Sequence, residues 1–311
     1  MSSREHSRNT LSGLEKTFSK AVEGGVFPGV VVATTNRDGS FYYAKAFGRR
    51  GCDSTEELLT TKSVMAIASM TKLITTVATL QLVERQSIKI SQGKPNTRKR
   101  QKTITLRHLL THSSGAGYDM SNAELAKFTL SKGREINSGA TIEERFGYPL
   151  LFEPGTSWEC GTGIDWAGKL VERLTGQDLE TYMQEHIWAP LGLKRITFWP
   201  SHNADMEADR VRMTIRNEAS GGLVLLQKPF LTEGVTECFG GQGAYAEMED
   251  FLKILHSILV DDERLLKKDT TAKMFQSQLN PASRESLRKH IQSCGPDPAF
   301  IGIFDNRYSY D

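Results

Sequence analysis

Strand-forming residues gather at the two ends of this chain, and a long helical stretch separates them. Near the N-terminus, Pro28-Gly29 opens a β-branched run, Val30 to Thr35. Asn36-Arg37-Asp38-Gly39-Ser40 then supplies turn chemistry, and Phe41 to Phe47 follows as an aromatic strand, which predicts a β-hairpin. Ahead of the hairpin, Leu11 to Glu23 has helical periodicity and stops at Gly24-Gly25. Helical segments dominate from Met70 to about Leu193. Mixed structure returns near Gly221 to Val224 and Phe239 to Tyr245, followed by a helix through Phe251 to Leu259 and a strand-like piece, Phe300 to Phe304. Each element must bury its apolar face against another layer, so this order predicts an α+β sheet domain interrupted by a helical one. The sheet domain is expected over residues 1–61 and 221–311, and the helical domain over 62–220.

A chain of 311 residues can bury a large core in one or two domains. Its 39 basic and 37 acidic side chains leave a net charge of +2, which offers no electrostatic case for nucleic acid or an acidic membrane surface. The one basic cluster, Arg98-Lys99-Arg100-Gln101-Lys102, reads as a solvated loop. Met1 to His6 is polar, without the apolar core of a signal peptide, and no apolar run is long enough to span a membrane. Cys52, Cys160, Cys238 and Cys294 lack metal-ligand spacing. These features predict a cytoplasmic protein with reduced thiols.

The stretch Ala66-Ile67-Ala68-Ser69-Met70-Thr71-Lys72 carries the chemistry. Leu73, Val77, Leu80 and Val83 recur at helical spacing, so a helix is expected from Met70 to Arg85 with Ser69 at its start. Residues three apart share a helix face with Cβ atoms roughly 5–6 Å apart, which brings the Lys72 amine within reach of Ser69 Oγ. A partly desolvated lysine can take a serine proton, and the helix N-terminus favours the developing alkoxide. A capping serine beside a solvent-facing lysine is the plainer alternative, and S-x-x-K by itself is short and common.

Further stretches turn the pair into a pattern. Ile104-Thr105-Leu106-Arg107-His108-Leu109-Leu110-Thr111-His112-Ser113-Ser114-Gly115 resembles the ITLRHLLTHTSG signature of the serine β-lactamase and penicillin-binding-protein superfamily, which includes esterases. Phe152-Glu153-Pro154-Gly155-Thr156-Ser157-Trp158 is similar to the F-x-P-G-x-x-W before its second catalytic motif, and Gly163 to Gly168 and Ile187 to Gly192 match the helices that follow. Cys238-Phe239-Gly240-Gly241-Gln242-Gly243-Ala244-Tyr245 looks most like the fungal esterase/transesterase branch. The resemblance runs from about Leu11 to Phe304. It implies a β-lactamase/transpeptidase-like fold, with an antiparallel sheet flanked by helices and an inserted helical domain. It also implies an acyl-enzyme on Ser69, Lys72 as base, and the Ser69 N–H as half of an oxyanion hole. Trp158, Gly241, Gly243 and Tyr245 are then expected at the substrate. No metal or organic cofactor is implied. The substrate would be a small lipophilic ester or thioester in secondary metabolism, with an acyl carrier protein as one conceivable donor.

Two departures stand out. The family places a tyrosine directly after this tryptophan region to share proton transfer, and Cys160 stands there. A thiol is shorter than a phenol and ordinarily titrates near pH 8.5 rather than about 10. Cys160 is therefore a doubtful base and reads better as a small buried residue. The family also continues into a strand that closes the cleft, whereas this sequence stops at Asp311, so the C-terminal strands are expected to be truncated and an edge near Phe300 to Phe304 left open. The segment between Ile90 and Lys94 looks shortened as well. These departures keep a second hypothesis in play: a catalytically impaired relative that acts by binding a ligand or partner.

Other signals resolve to structure. His108 and His112 have H-E-x-x-H spacing, but Leu109 stands in place of the glutamate, so both are expected to support the turn to Ser113-Ser114-Gly115. Gly241 to Ala246 formally fits G-x-G-x-x-A without a βαβ unit around it, and its glycines are expected to let backbone pass close to its neighbours. Trp158, Trp166, Trp188 and Trp199 could line an acyl pocket, although aromatics at such spacing are usually core.

Overall fold

The computed structural model describes residues 3–85, 102–226, 232 and 234–293. Cys294, most of the basic cluster, the segment from Ile90 to Lys94, the strand-like piece Phe300 to Phe304 and the chain end lie outside the described residues. In chain order, the elements begin with α1 (Ser3–Glu23), β1 (Gly29–Thr35), β2 (Tyr42–Gly48), β3 (Met65–Ala66) and α2 (Thr71–Glu84). Then come α3 (Leu106–Leu110), α4 (Ala123–Ser131), α5 (Ile142–Phe146), α6 (Gly163–Thr175), α7 (Leu179–Met183) and α8 (Ala189–Leu191). The remainder is β4 (Ile196–Thr197), α9 (Ala204–Ala208), β5 (Thr214–Arg216), β6 (Leu223–Leu225), β7 (Tyr245–Ala246), α10 (Met248–Val260), α11 (Lys268–Met274) and α12 (Pro281–Ser293). Among the described residues every pairing between these strands is antiparallel.

The chain divides into two compact units. The first comprises 1–67, 188–233 and 244–262, and the second 68–187, 234–243 and 263–311. These limits differ from the expected 62–220 insert. Residues 188–226 carry β4, which pairs with β7, and α9, whose Met206 packs with Val64 and Tyr245, so tertiary pairing draws this stretch into the sheet-bearing unit.

In the first unit, β1 and β2 form the expected hairpin, in register from Gly29 opposite Gly48 to Thr35 opposite Tyr42. Asn36 accepts from Phe41 N–H and Asp38 from Ser40 N–H, so the turn residues close the loop with their own side chains. Gly48, at φ +81°, is required because a Cβ there would run into the Pro28 carbonyl. The helix α1 packs against β2 and α10 against β1. A second sheet orders as β3-β7-β4 and a third is the β5-β6 hairpin, so the single sheet expected from both chain ends is three small sheets among the described residues.

In the second unit, α2 packs on α6 and α7. Ile164, Ala167, Gly168 and Val171 form the buried stripe of α6, at helical spacing. The face of α2 corrects the sequence expectation: Ile74, Val77, Ala78 and Leu82 are buried, whereas Val83 is 46% exposed. This helix is wrapped on most sides, so its apolar pattern is too broad to mark one face. Buried Gln81 is satisfied, its amide nitrogen donating to the His186 and Leu265 carbonyls while Tyr182 Oη donates to its oxygen.

Candidate active site

The nucleophile candidate lies at the entrance to α2. Ala68 to Met70 form a 3₁₀ turn, and Ala68 adopts φ +44°, a left-handed conformation that costs a residue with a Cβ about 1–2 kcal/mol. The helix cap falls on Met70, which makes no side-chain cap bond. Ser69 is therefore not the capping residue. Its exposed hydroxyl instead accepts from Lys72 Nζ at 3.0 Å, the contact that the i,i+3 spacing predicts.

Lys72 is half-buried and also donates to the Gly241 carbonyl at 2.7 Å. Burial pushes its amine pKa below the usual lysine range, against the opposing pull of the Asp165 carboxylate. Asp165, on the first turn of α6, is fully buried. It accepts from Gly241 N–H at 2.8 Å and from Tyr118 Oη at 3.4 Å. Burial raises its carboxyl pKa to about 6, held from going higher by Lys72, Gly241 and Tyr118. Lys72 Nζ also sits 5.9 Å from the Tyr118 ring centroid.

Cys160 packs against the cluster of Tyr118, Ile142, Phe146 and Phe239. Burial pushes its thiol above the usual cysteine range, against the pull of Lys72, so it is protonated at neutral pH. The segment around it is pinned by the preceding motif. Glu159 N–H donates to the His112 carbonyl, Gly161 N–H to His112 Nδ1 at 3.2 Å, and Thr162 N–H to the Ala116 carbonyl. His112 is held neutral, with burial and Lys72 lowering its pKa to about 4. His108 closes a capping box at the start of α3, its N–H donating to Thr105 Oγ1 and its Nδ1 accepting from Thr105 N–H. Both histidines thus have the structural places expected of them.

Ser69, Lys72 and Gly241 meet through hydrogen bonds in the second unit, and Cys160 stands near enough to act on Lys72 electrostatically. Gly243 follows on the turn that Phe239 closes, its N–H donating to the Phe239 carbonyl at 2.7 Å. Trp158 packs edge-on against His112 and tilted against His290, with ring centroids 6.1 and 5.3 Å apart. Tyr245 belongs to the first unit, where it is buried on β7 and packed with Val64 and Met206, its hydroxyl bonded to Thr232 at 2.6 Å. Trp188 is buried, Trp166 packs on the aromatic cluster and Trp199 stacks on His202. Sequence reasoning missed Asp165 and Tyr118. The one available signal was an acid on the apolar side of an amphipathic helix. Among the described residues, no group of three or more His, Cys, Asp or Glu is placed to hold a metal ion.

The Beta-lactamase family matches residues 14–290. The chain belongs to the Beta-lactamase family. Within it, this member is 35% identical over 305 residues to monacolin J acid methylbutanoyltransferase of Aspergillus terreus, covering 90% of this chain and 74% of that protein. It is 35% identical to the lovastatin esterase of Penicillium rubens, covering 90% and 76%. Unliganded simvastatin synthase (LovD) from Aspergillus terreus superposes with a TM-score of 0.81 at 34% identity, covering 92% of this chain and 77% of that one. The fold is therefore β-lactamase/transpeptidase-like, and these relatives are acyltransferases and esterases. No helix among the described residues is long and apolar enough to cross a membrane.

Proposed function

We propose that this family member is a serine acyltransferase or esterase that works through an acyl-enzyme on Ser69. The observation that carries the reading is the 3.0 Å contact between Ser69 Oγ and a lysine whose amine burial drives toward the neutral form. Neutral Lys72 takes the Ser69 proton as Oγ attacks the acyl carbonyl. The resulting ammonium returns that proton to the departing alcohol or thiol, which leaves the acyl group as an ester on Ser69. In the second half the same amine deprotonates the acceptor, which attacks the ester, and the proton passes back to Ser69. Water as acceptor gives hydrolysis, and an alcohol gives transesterification.

A small lipophilic acyl group suits this reading, because the matched relatives include a methylbutanoyltransferase and a lovastatin esterase. We place the reaction in secondary metabolism in the cytoplasm, with an acyl carrier protein as a candidate thioester donor. Cys160 favours a second reading. Its thiol, protonated and packed among aromatics, is a poor substitute for the family's phenol, so a protein that binds ligand without turnover is the alternative.

Intact-mass analysis after incubation with a fluorophosphonate tests the choice. A stoichiometric adduct that Ser69→Ala abolishes supports the acyl-enzyme reading. Folded protein that takes up no adduct leaves the binding reading.

A further inference from the structure

The two glycines that bring the chain past the nucleophile are gripped from two helices. Gly240 offers its carbonyl to Thr75 Oγ1 on α2 at 2.7 Å, and Gly241 offers its N–H to Asp165 Oδ1 on α6 at 2.8 Å. Those two groups belong to one peptide unit, with carbonyl and N–H on opposite edges, so the two bonds together fix its plane. The next carbonyl, that of Gly241, accepts from Lys72 Nζ at 2.7 Å. A Cβ at position 240 would press on Thr75 and the Ile164 carbonyl, and one at 241 would overlap the Asp165 carboxylate. The glycines are there to let this peptide enter the gap between α2 and α6.

We propose that Asp165 is a positioning residue for acyl transfer: it fixes the Gly241 peptide, and the Gly241 carbonyl in turn orients the Lys72 amine toward Ser69. The inference rests on the acyl-enzyme reading above. An uncharged lysine has two N–H donors and one lone pair. When one donor is committed to the Gly241 carbonyl, the nitrogen can turn its lone pair to the Ser69 hydroxyl. Without that anchor the flexible four-carbon stem leaves the nitrogen unaimed, and displacement of a reacting group by about 1 Å can cost about 10²-fold in rate. Tyr118 Oη completes the support by donating to the other Asp165 oxygen. The groups facing Lys72 and Asp165 are Tyr118, Cys160, His112 and, further along the electrostatic field, Arg145.

The test compares Asp165→Asn and Asp165→Ala with the parent protein on p-nitrophenyl butyrate across pH 5.5–9. The asparagine oxygen can still accept from Gly241 N–H, so Asp165→Asn should keep kcat within a few-fold at its optimum. Its rising limb should move to lower pH by about one unit, because a negative charge beside Lys72 has been removed. Asp165→Ala should lower kcat about 100-fold with KM nearly unchanged. In parallel, competitive labelling of Lys72 with acetic anhydride over the same pH range reports the amine's pKa independently of turnover, and should show the same acid shift in Asp165→Asn. If Asp165→Ala folds and matches the parent in kcat, the proposal is overturned while the acyl-enzyme reading stands. If the parent itself takes up no fluorophosphonate at Ser69, the acyl-enzyme reading falls and the proposal falls with it. If Asp165→Ala is unfolded, Asp165→Ser, whose shorter side chain falls short of the Gly241 N–H, takes its place with the same expected loss and the same refuting result.

Discussion

Replacing His112 with asparagine should remove a defined part of the protein's acid sensitivity. The asparagine side chain would keep an acceptor near the place of Nδ1, so the bond from Gly161 N–H survives and the pinned segment after Cys160 keeps its place. What disappears is a titration. In the folded chain His112 gains a proton only near pH 4, whereas in the unfolded chain it does so near 6.5. Between those values the unfolded state binds the extra proton, so stability is complete above about pH 6.5 and falls as the pH drops toward 4. A displacement of this size corresponds to about 3 kcal/mol. Asp165 acts in the opposite sense, because its folded pKa of about 6 lies above 3.8, and stability there rises as the pH falls through that window. The two slopes overlap and mask one another in the parent, but the difference between parent and His112→Asn isolates the histidine. Urea unfolding at pH 7, 6, 5 and 4 should show the parent losing about 3 kcal/mol relative to the variant. Parallel stability curves, or an NMR titration that places the His112 ring near 6.5, would refute the reasoning.

Cys160→Ala should leave the acylation rate within a few-fold, against the roughly 10²–10⁴-fold loss expected for removing a general base. Cys160→Tyr should raise ester hydrolysis while lowering the melting temperature, since the larger ring enters the Tyr118–Phe146–Phe239 cluster at a cost of about 1–3 kcal/mol. Stopped-flow acylation and thermal melts check both. On α2, Ile74→Ala should cost about 2–5 kcal/mol in urea unfolding and Val83→Ala under about 1 kcal/mol. Equal costs would contradict the buried face described for that helix.

Features that depend on near neighbours were legible in the amino-acid order. The hairpin of β1 and β2 is written in its β-branched runs and in Asn36 and Asp38, whose side chains close the turn. The α1 helix ends at Glu23, just before Gly24-Gly25. The Ser69–Lys72 contact follows from a three-residue spacing on one helical turn. The long Ile104-to-Gly115 and Phe152-to-Trp158 motifs carried the family for the same reason: they are contiguous. The surroundings of that pair came from packing between distant segments. Gly241 reaches Lys72 across 169 positions and Asp165 across 76, and nothing local marks either as a partner. Periodicity also misjudged α2, because a helix enclosed on most sides has no single apolar stripe to read. Tyr245 lies two residues beyond Gly243 yet belongs to the other unit, where strand pairing and the Val64–Met206 cluster hold it. Local backbone and side-chain preferences are set within a few residues, whereas a buried charge takes its partners from whatever the packing brings beside it.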